Sequence, residues 1–422
     1  MFVFHLTNHA MGNLHSSRTR RSYLKTTGAI TGAATLAGCS LLSSDESSAD
    51  ITIATTIPQE GAFSSMAEEM EQGYDLGVAH IEETLDQEVE LLVENDESDP
   101  SVVIESLRKM AGDADMIWGS FSSELVTAGS SVAESEGIPF VAAYFAQEAP
   151  HRNEDYEWTY AAFPKSRDVA RSTQGLLETI PEGERPTNVG IWEPNSDWGE
   201  EQSDSWEETL GDAGYDIVLR EQYEYGSSDF STMISQSANQ NVEVLLSVPT
   251  PPDGITMIEQ IEERDFSPDL TKFVRAADPQ DWWNALGESG EYVCMCPGWV
   301  PGMTGNGNEE MWNAYVDEYG LEDDAFIRTA VGGGYNVAQV TAQAIDAAGS
   351  TDPSDVQGAL QSETFETVIG SFSFEENGLP TEGELTAPTG QWLDGNQYTV
   401  YPETDDDRAS DLQYPIPAWS ER

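Results

Sequence analysis

The 422 residues include 77 acidic and 18 basic side chains, a formal net charge of −59, beside an ordinary hydrophobic fraction of 38 % and 11 tryptophans. That apolar content supports folded cores and excludes a disordered acidic tail, and the lack of a basic stripe excludes nucleic acid as a partner. Acids spread along the chain predict an anionic globule whose self-repulsion is screened only at high salt, where the Debye length is about 3 Å at 1 M, so the composition points to a salt-in halophile.

Residues 1–38 read as a twin-arginine lipoprotein signal peptide. Arg20 and Arg21 precede an uncharged Ala, Gly and Thr stretch that ends in Leu36-Ala37-Gly38-Cys39. Cys39 stands where a lipobox places its acylated cysteine, and the serine-rich segment 39–50 reads as a flexible tether. Beyond Cys39 the expected chain has 14 basic and 77 acidic residues, a net charge near −63. No apolar run there is long enough to span a bilayer. The expected location is therefore the extracellular face of the cytoplasmic membrane, with the membrane contacted only through the lipid at Cys39.

From residue 51 short apolar runs alternate with helical patterns, the rhythm of βαβ units and parallel sheets. Strands are predicted at 51–56, 89–94, 116–118, 139–143, 188–192, 217–220, 244–248, 273–275 and 292–296. Asp99-Pro100 and Asp278-Pro279 each supply an N-cap followed by a first-turn proline, for helices reaching Met110 and Leu286. Further helices are predicted over 306–319 and 324–348, and β ribbon over 372–401. Nine strands exceed what one sheet of this length suits, so the predicted fold class is α/β, with two doubly wound lobes joined by a hinge of several crossovers. Residues 51–164 with 298–370 form the first lobe, 165–297 with about 371–403 the second, and 404–422 a surface tail. Ligands of open α/β sheets bind at the carboxyl ends of strands.

Histidine is scarce after Cys39, with only His80 and His151, which argues against a histidine-dependent hydrolase and a structural zinc site. Cys294 and Cys296, two apart, suit packed thiols better than a disulfide. The Gly332-Gly-Gly-Tyr335 run lacks the Gly-Lys-Ser/Thr of a phosphate loop and reads as close helix packing. No metal or cofactor is expected, and the chain reads as a non-enzyme.

In order and spacing, several segments carry a family likeness. These are Glu94-Asn-Asp-Glu-Ser-Asp-Pro100, Ile117-Trp-Gly-Ser-Phe-Ser-Ser123, Glu136-Gly-Ile-Pro-Phe140, Asn195-Ser-Asp-Trp-Gly199, Ser228-Asp-Phe-Ser231, Ala277-Asp-Pro and Ala285-Leu-Gly287. The sequence resembles the branched-chain amino acid (Leu/Ile/Val) class of ABC transporter substrate-binding proteins, with the type I periplasmic binding fold. The resemblance implies a lipid-anchored receptor that closes two lobes around a small polar solute, an amino acid in most relatives, and delivers it to ABC permease subunits. It implies a ligand site at Met66, Ser122, Ser123, Tyr144, Ala146, Trp198, Thr250 and Asp278, with the Ser123 hydroxyl and neighbouring amides on a carboxylate and Trp198 as a lid. Asp278 either meets the ligand's ammonium group or only caps its helix; in the second case amides, urea-like solutes or aromatic acids become candidates. A sensor subunit would share the fold.

Overall fold

The computed structural model describes residues 49–321 and 327–422; Cys39, the signal segment, nearly all of the tether and the expected helix start at Asp324 lie outside them. Two sheets organise the chain. In the first, β1 (Ile51–Ile57) lies between β2 (Val89–Asn95) and β3 (Met116–Trp118), followed outward by β4 (Phe140–Ala142) and β5 (Thr159–Ala161), all parallel. The second sheet holds five parallel strands, β6 (Asn188–Pro194), β7 (Asp216–Tyr223), β8 (Val244–Ser247), β9 (Leu270–Phe273) and β10 (Cys294–Met295). Its edge is completed by antiparallel β13 (Thr389–Leu393) and β14 (Asn396–Tyr401), while β11 (Thr364–Thr367) and β12 (Gly370–Ser373) form a separate hairpin. This is the two-lobed α/β architecture that the strand rhythm predicts.

Crossover helices fill the gaps. α1 (Ala67–Leu85) joins β1 to β2, α2 (Pro100–Met110) joins β2 to β3, and α3 (Ser123–Glu136) joins β3 to β4. Asp99 caps α2 as expected, its carboxylate accepting the Ser101 amide at 2.8 Å ahead of Pro100. After the short α4 (Ala149–Asn153), α5 (Ser166–Thr179) leads into the second sheet, where α6 (Asp197–Asp212), α7 (Ser231–Asn239), α8 (Pro251–Glu263) and α9 (Gln280–Leu286) are the crossovers. α10 (Asn308–Glu318), α11 (Thr329–Ala348) and α12 (Pro353–Ser362) follow the second sheet.

α11 returns to the first sheet and packs along α1 through glycine. A Cβ on Gly73 would stand 2.5 Å from the Val331 carbonyl oxygen, and one on Gly77 2.5 Å from the Ala338 Cβ. Gly332, Gly333 and Gly334 lie against Trp299, Tyr144 and the Gly73 backbone respectively. The glycine run is therefore close packing, which lets α11 sit where a side chain of any size would push it away. Across the same contact Trp118 Nε1 donates to Thr341 Oγ1 at 2.9 Å.

Cys294 and Cys296 are buried free thiols, and burial pushes Cys294 up to about 12. Residues after β14 run along the second lobe, with the Ile416 amide donating to the Asp269 carbonyl and the Trp419 indole to the Phe266 carbonyl. Two sequence expectations fail here. β5 lies outside the predicted strands, because Thr159 and Tyr160 make it a weaker apolar run than Met116–Trp118 or Phe140–Ala142. The strand predicted through Arg275 ends at Phe273, since Arg275 turns into the left-handed region at φ 76°.

Candidate functional site: the cavity between the lobes

The loops after β3, β4, β6, β9 and β10 converge on one cavity of about 20 Å³, with Ser122, Tyr144, Ala146, Trp198, Arg275 and Asp278 on its wall. Phe121 and Phe163 complete an aromatic rim, Phe121 5.5 Å and Phe163 6.2 Å from Tyr144 between ring centroids. A wider recess of about 220 Å³ near Glu184, Ser410 and Tyr414 lies on the flank of the second lobe. No buried unpartnered polar side chain lies on that flank recess, whereas three lie on the wall of the smaller cavity: Arg275 Nη1, Trp198 Nε1 and Asp278 Oδ1. Unmet hydrogen-bonding groups in a buried place cost about 1–3 kcal/mol each, so they mark the smaller cavity as the site.

Backbone strain marks it too. Ser122 (φ 85°), Tyr144 (φ 59°) and Arg275 (φ 76°) are non-glycine residues in the left-handed region, and all three face the cavity. Such conformations cost about 1–3 kcal/mol each and persist where packing holds them. Tyr144 is held by its hydroxyl, which donates to the Ala330 carbonyl of α11. Arg275 is held by Nη2, which donates to the Val248 carbonyl at 2.9 Å and to Tyr225 Oη at 3.0 Å, and by Nε, which reaches the Pro249 carbonyl at 3.2 Å. Its guanidinium carbon lies 5.1 Å from the Phe63 ring, 5.0 Å from Trp198 and 5.5 Å from Tyr225. Burial works against the Arg275 charge, but Tyr225 and Glu124 raise its pKa above the ordinary arginine value.

The residues named from the sequence divide. Ser122, Tyr144, Ala146, Trp198 and Asp278 are brought together. Ser123, the first residue of α3, is off the wall, and its hydroxyl is 3.4 Å from the Gln147 amide. Met66 is a core residue at the entrance to α1. Thr250 caps α8, receiving the Asp253 amide at 3.3 Å and donating to the Asp253 carboxylate at 2.8 Å.

Asp278 does not cap its helix: α9 starts at Gln280 with Pro279 at the N-cap and no side-chain bond, so the expected cap is corrected. The proline brings no N–H and turns the chain so that the Asp278 carboxyl points inward. Burial pushes that carboxyl up to about 8, with the Glu69 charge adding to the push and Arg275 opposing it. Glu69 of α1 is itself pushed up to about 7 by burial, against the Gln280 amide, which donates to it at 3.1 Å across the lobes.

Arg275, Phe121 and Phe163 on the wall are not among the residues named from sequence, nor is Glu69, whose charge acts on Asp278. Glu69 is one acid among 77 and carries no signal. Arg275 had one: in a chain so poor in cations, a basic residue at the carboxyl end of a strand is informative.

The family profile for periplasmic binding proteins matches residues 50–386. The chain belongs to that family. Among relatives, a Leu/Ile/Val-binding protein homolog 7 of Brucella abortus is 26 % identical over 378 residues, 84 % of this chain and 92 % of that one. A leucine-binding protein of Thermotoga maritima superposes with a TM-score of 0.71 at 17 % identity, over 83 % of this chain and 97 % of its own. A solute-binding protein of R. palustris in complex with benzoate superposes at 0.69 and 13 % identity, over 87 % and 97 %. The type I periplasmic binding fold of this family member is thus shared with a leucine-binding protein and with a benzoate-bound solute-binding protein. Among the described residues no helix is long and apolar enough to cross a membrane.

Proposed function

We propose that the protein is an extracytoplasmic solute receptor of an ABC importer, held to the membrane by lipid at Cys39. It takes up a small solute between its lobes and presents it to permease subunits. The observation that carries this reading is the set of three buried, unpartnered polar atoms, Arg275 Nη1, Trp198 Nε1 and Asp278 Oδ1, on one wall between the two sheets. A cavity of about 20 Å³ holds roughly one water, so a solute reaches these atoms only when the lobes part. Ser122, Tyr144 and Ala146 come from the first lobe and Trp198 and Asp278 from the second, which suits closure on a solute. The Brucella abortus relative is named as a Leu/Ile/Val-binding protein homolog, and the R. palustris neighbour is in complex with benzoate.

Intrinsic tryptophan fluorescence, checked by calorimetry, tests the reading in several-molar KCl. The solutes are branched-chain amino acids, amides, urea, and branched and aromatic acids. A saturable response to at least one class supports a receptor; no response to any class refutes it.

A further inference from the structure

The three unmet atoms on the cavity wall are two donors and one carboxyl oxygen. Arg275 Nη1 and the Trp198 indole Nε1 can only donate. The guanidinium is already fixed by the Val248 and Pro249 carbonyls and by Tyr225, so it offers Nη1 without further loss of rotamer freedom. Phe63, Phe121, Tyr144 and Phe163 close the space around the pair with apolar surface.

Resting on the receptor reading above, we propose that Arg275 and Trp198 form a carboxylate anchor, and that the solute is a small monocarboxylate with an apolar body and no ammonium group. Charge balance supports the second half. The wall carries one permanent cation, which a single carboxylate neutralises. The acid on the cavity wall is Asp278, whose carboxyl is buried without a hydrogen-bond partner for Oδ1 and is pushed up to about 8, toward the neutral form, by burial with Glu69 adding. A zwitterion would either leave its ammonium unpaired near Arg275 or drive a proton off Asp278, and both oppose binding. Among the described residues the carboxylate within ion-pair distance of Arg275 is Glu124, its Oε2 4.0 Å from Nη1, beyond hydrogen-bond distance. Its side chain is 34 % exposed and its Oε2 accepts from Ser122 Oγ at 2.8 Å, so a solute carboxylate takes the position by displacing that bond.

The test uses the purified protein in several-molar KCl with benzoate, 3-methylbutanoate, benzamide and leucine as probes, read by calorimetry and tryptophan fluorescence. Benzoate or 3-methylbutanoate is expected to bind, with benzamide and leucine at least about tenfold weaker. Arg275→Gln should weaken that carboxylate about 10- to 100-fold, and Arg275→Lys should recover only part of it, because a point charge cannot reproduce the held fork. Trp198→Phe keeps a ring, loses the N–H, and should weaken binding about 3- to 10-fold at unchanged melting temperature. Leucine binding more tightly than both monocarboxylates overturns the solute class while sparing the receptor reading. Wild-type affinity in Arg275→Gln overturns the anchor. If none of the four probes binds, the proposal falls, and the response to amides, urea and other amino acids decides whether the receptor reading falls with it. Should Arg275→Gln not fold, Trp198→Phe and the wild-type ranking of the four probes still decide.

Discussion

Replacing Asp278 with Asn should turn a pH-dependent stability into a flatter one. In the folded protein burial holds the Asp278 carboxyl near 8, against an ordinary value of 3.8. Between those values the native state binds a proton that the unfolded chain releases, so stability falls as pH rises and the loss is complete only above about 8. Asn keeps the shape and the neutral state and escapes that loss. The groups facing Asp278 are Glu69 on α1 and Arg275 in its own turn, with Arg328 acting on Glu69. Glu69, pushed up to about 7 by burial, is present in both proteins, so the difference between them reads chiefly the Asp278 carboxyl. Each pKa unit is worth about 1.4 kcal/mol, and a shift of about four units caps the effect near 5 kcal/mol. For a chain of this size that corresponds to about 5–10 °C in melting temperature. Paired melts of wild type and Asp278→Asn from pH 5 to pH 9, in several-molar KCl, should show the variant gaining steadily on the wild type. A difference that stays constant over that range would mean that Asp278 is ionised throughout, and the neutral-wall argument would fail with it.

Four further outcomes follow. Gly73→Ala should lower stability by about 1–3 kcal/mol, because the new Cβ meets the Val331 carbonyl at 2.5 Å and α1 and α11 must separate, whereas Gly112→Ala, with nothing within 4 Å, should change little; equal melts would refute the packing account. Glu124→Gln removes the carboxylate 4.0 Å from Arg275 Nη1 and should tighten carboxylate binding about fivefold, read by calorimetry; weaker binding would assign Glu124 to the solute instead. Cys39→Ser should release soluble protein into the medium, and unchanged membrane retention would exclude lipid anchoring at that residue. Lowering KCl to about 0.1 M should drop the melting temperature sharply as carboxylate repulsion is unscreened; a salt-independent melt would remove the halophile reading.

The lobes were legible in the sequence because their signal is repeated. Each buried parallel strand is a short apolar run, each crossover an amphipathic stretch, and each is punctuated by capping residues such as Asp99 or glycines such as Gly137. Elements without that apolar signal were lost: β5 carries Thr159 and Tyr160 in its three residues, and β11 pairs only with the hairpin partner beside it. Helix caps divide along a physical line. Asp99 and Asp278 precede proline in the same pattern, yet only Asp99 turns its carboxylate back onto its own helix. Asp278 lies under α11, where Thr329 Oγ1 and Gln397 Nε2 take its carbonyl, and those contacts come from residues 51 and 119 positions away. No local rule contains them.

The site separates further into what a motif can place and what only packing can. Ser122 and Trp198 are positioned by their places at the start of α3 and α6, so a resemblance in those turns carries them to the cavity. Arg275 arrives differently. A strand continuing through 275 would alternate its side chains on the two faces of the sheet, so the strand pattern does not itself aim the arginine at the cavity. Instead the strand stops at Phe273, the backbone turns to φ 76°, and three carbonyl and hydroxyl acceptors hold the guanidinium between Phe63 of one lobe and Trp198 of the other. That conformation costs about 1–3 kcal/mol, and among the described residues no acceptor meets Nη1. A buried cation kept in a strained turn, in a protein that elsewhere has so few, is consistent with a bond made only when a solute anion is present.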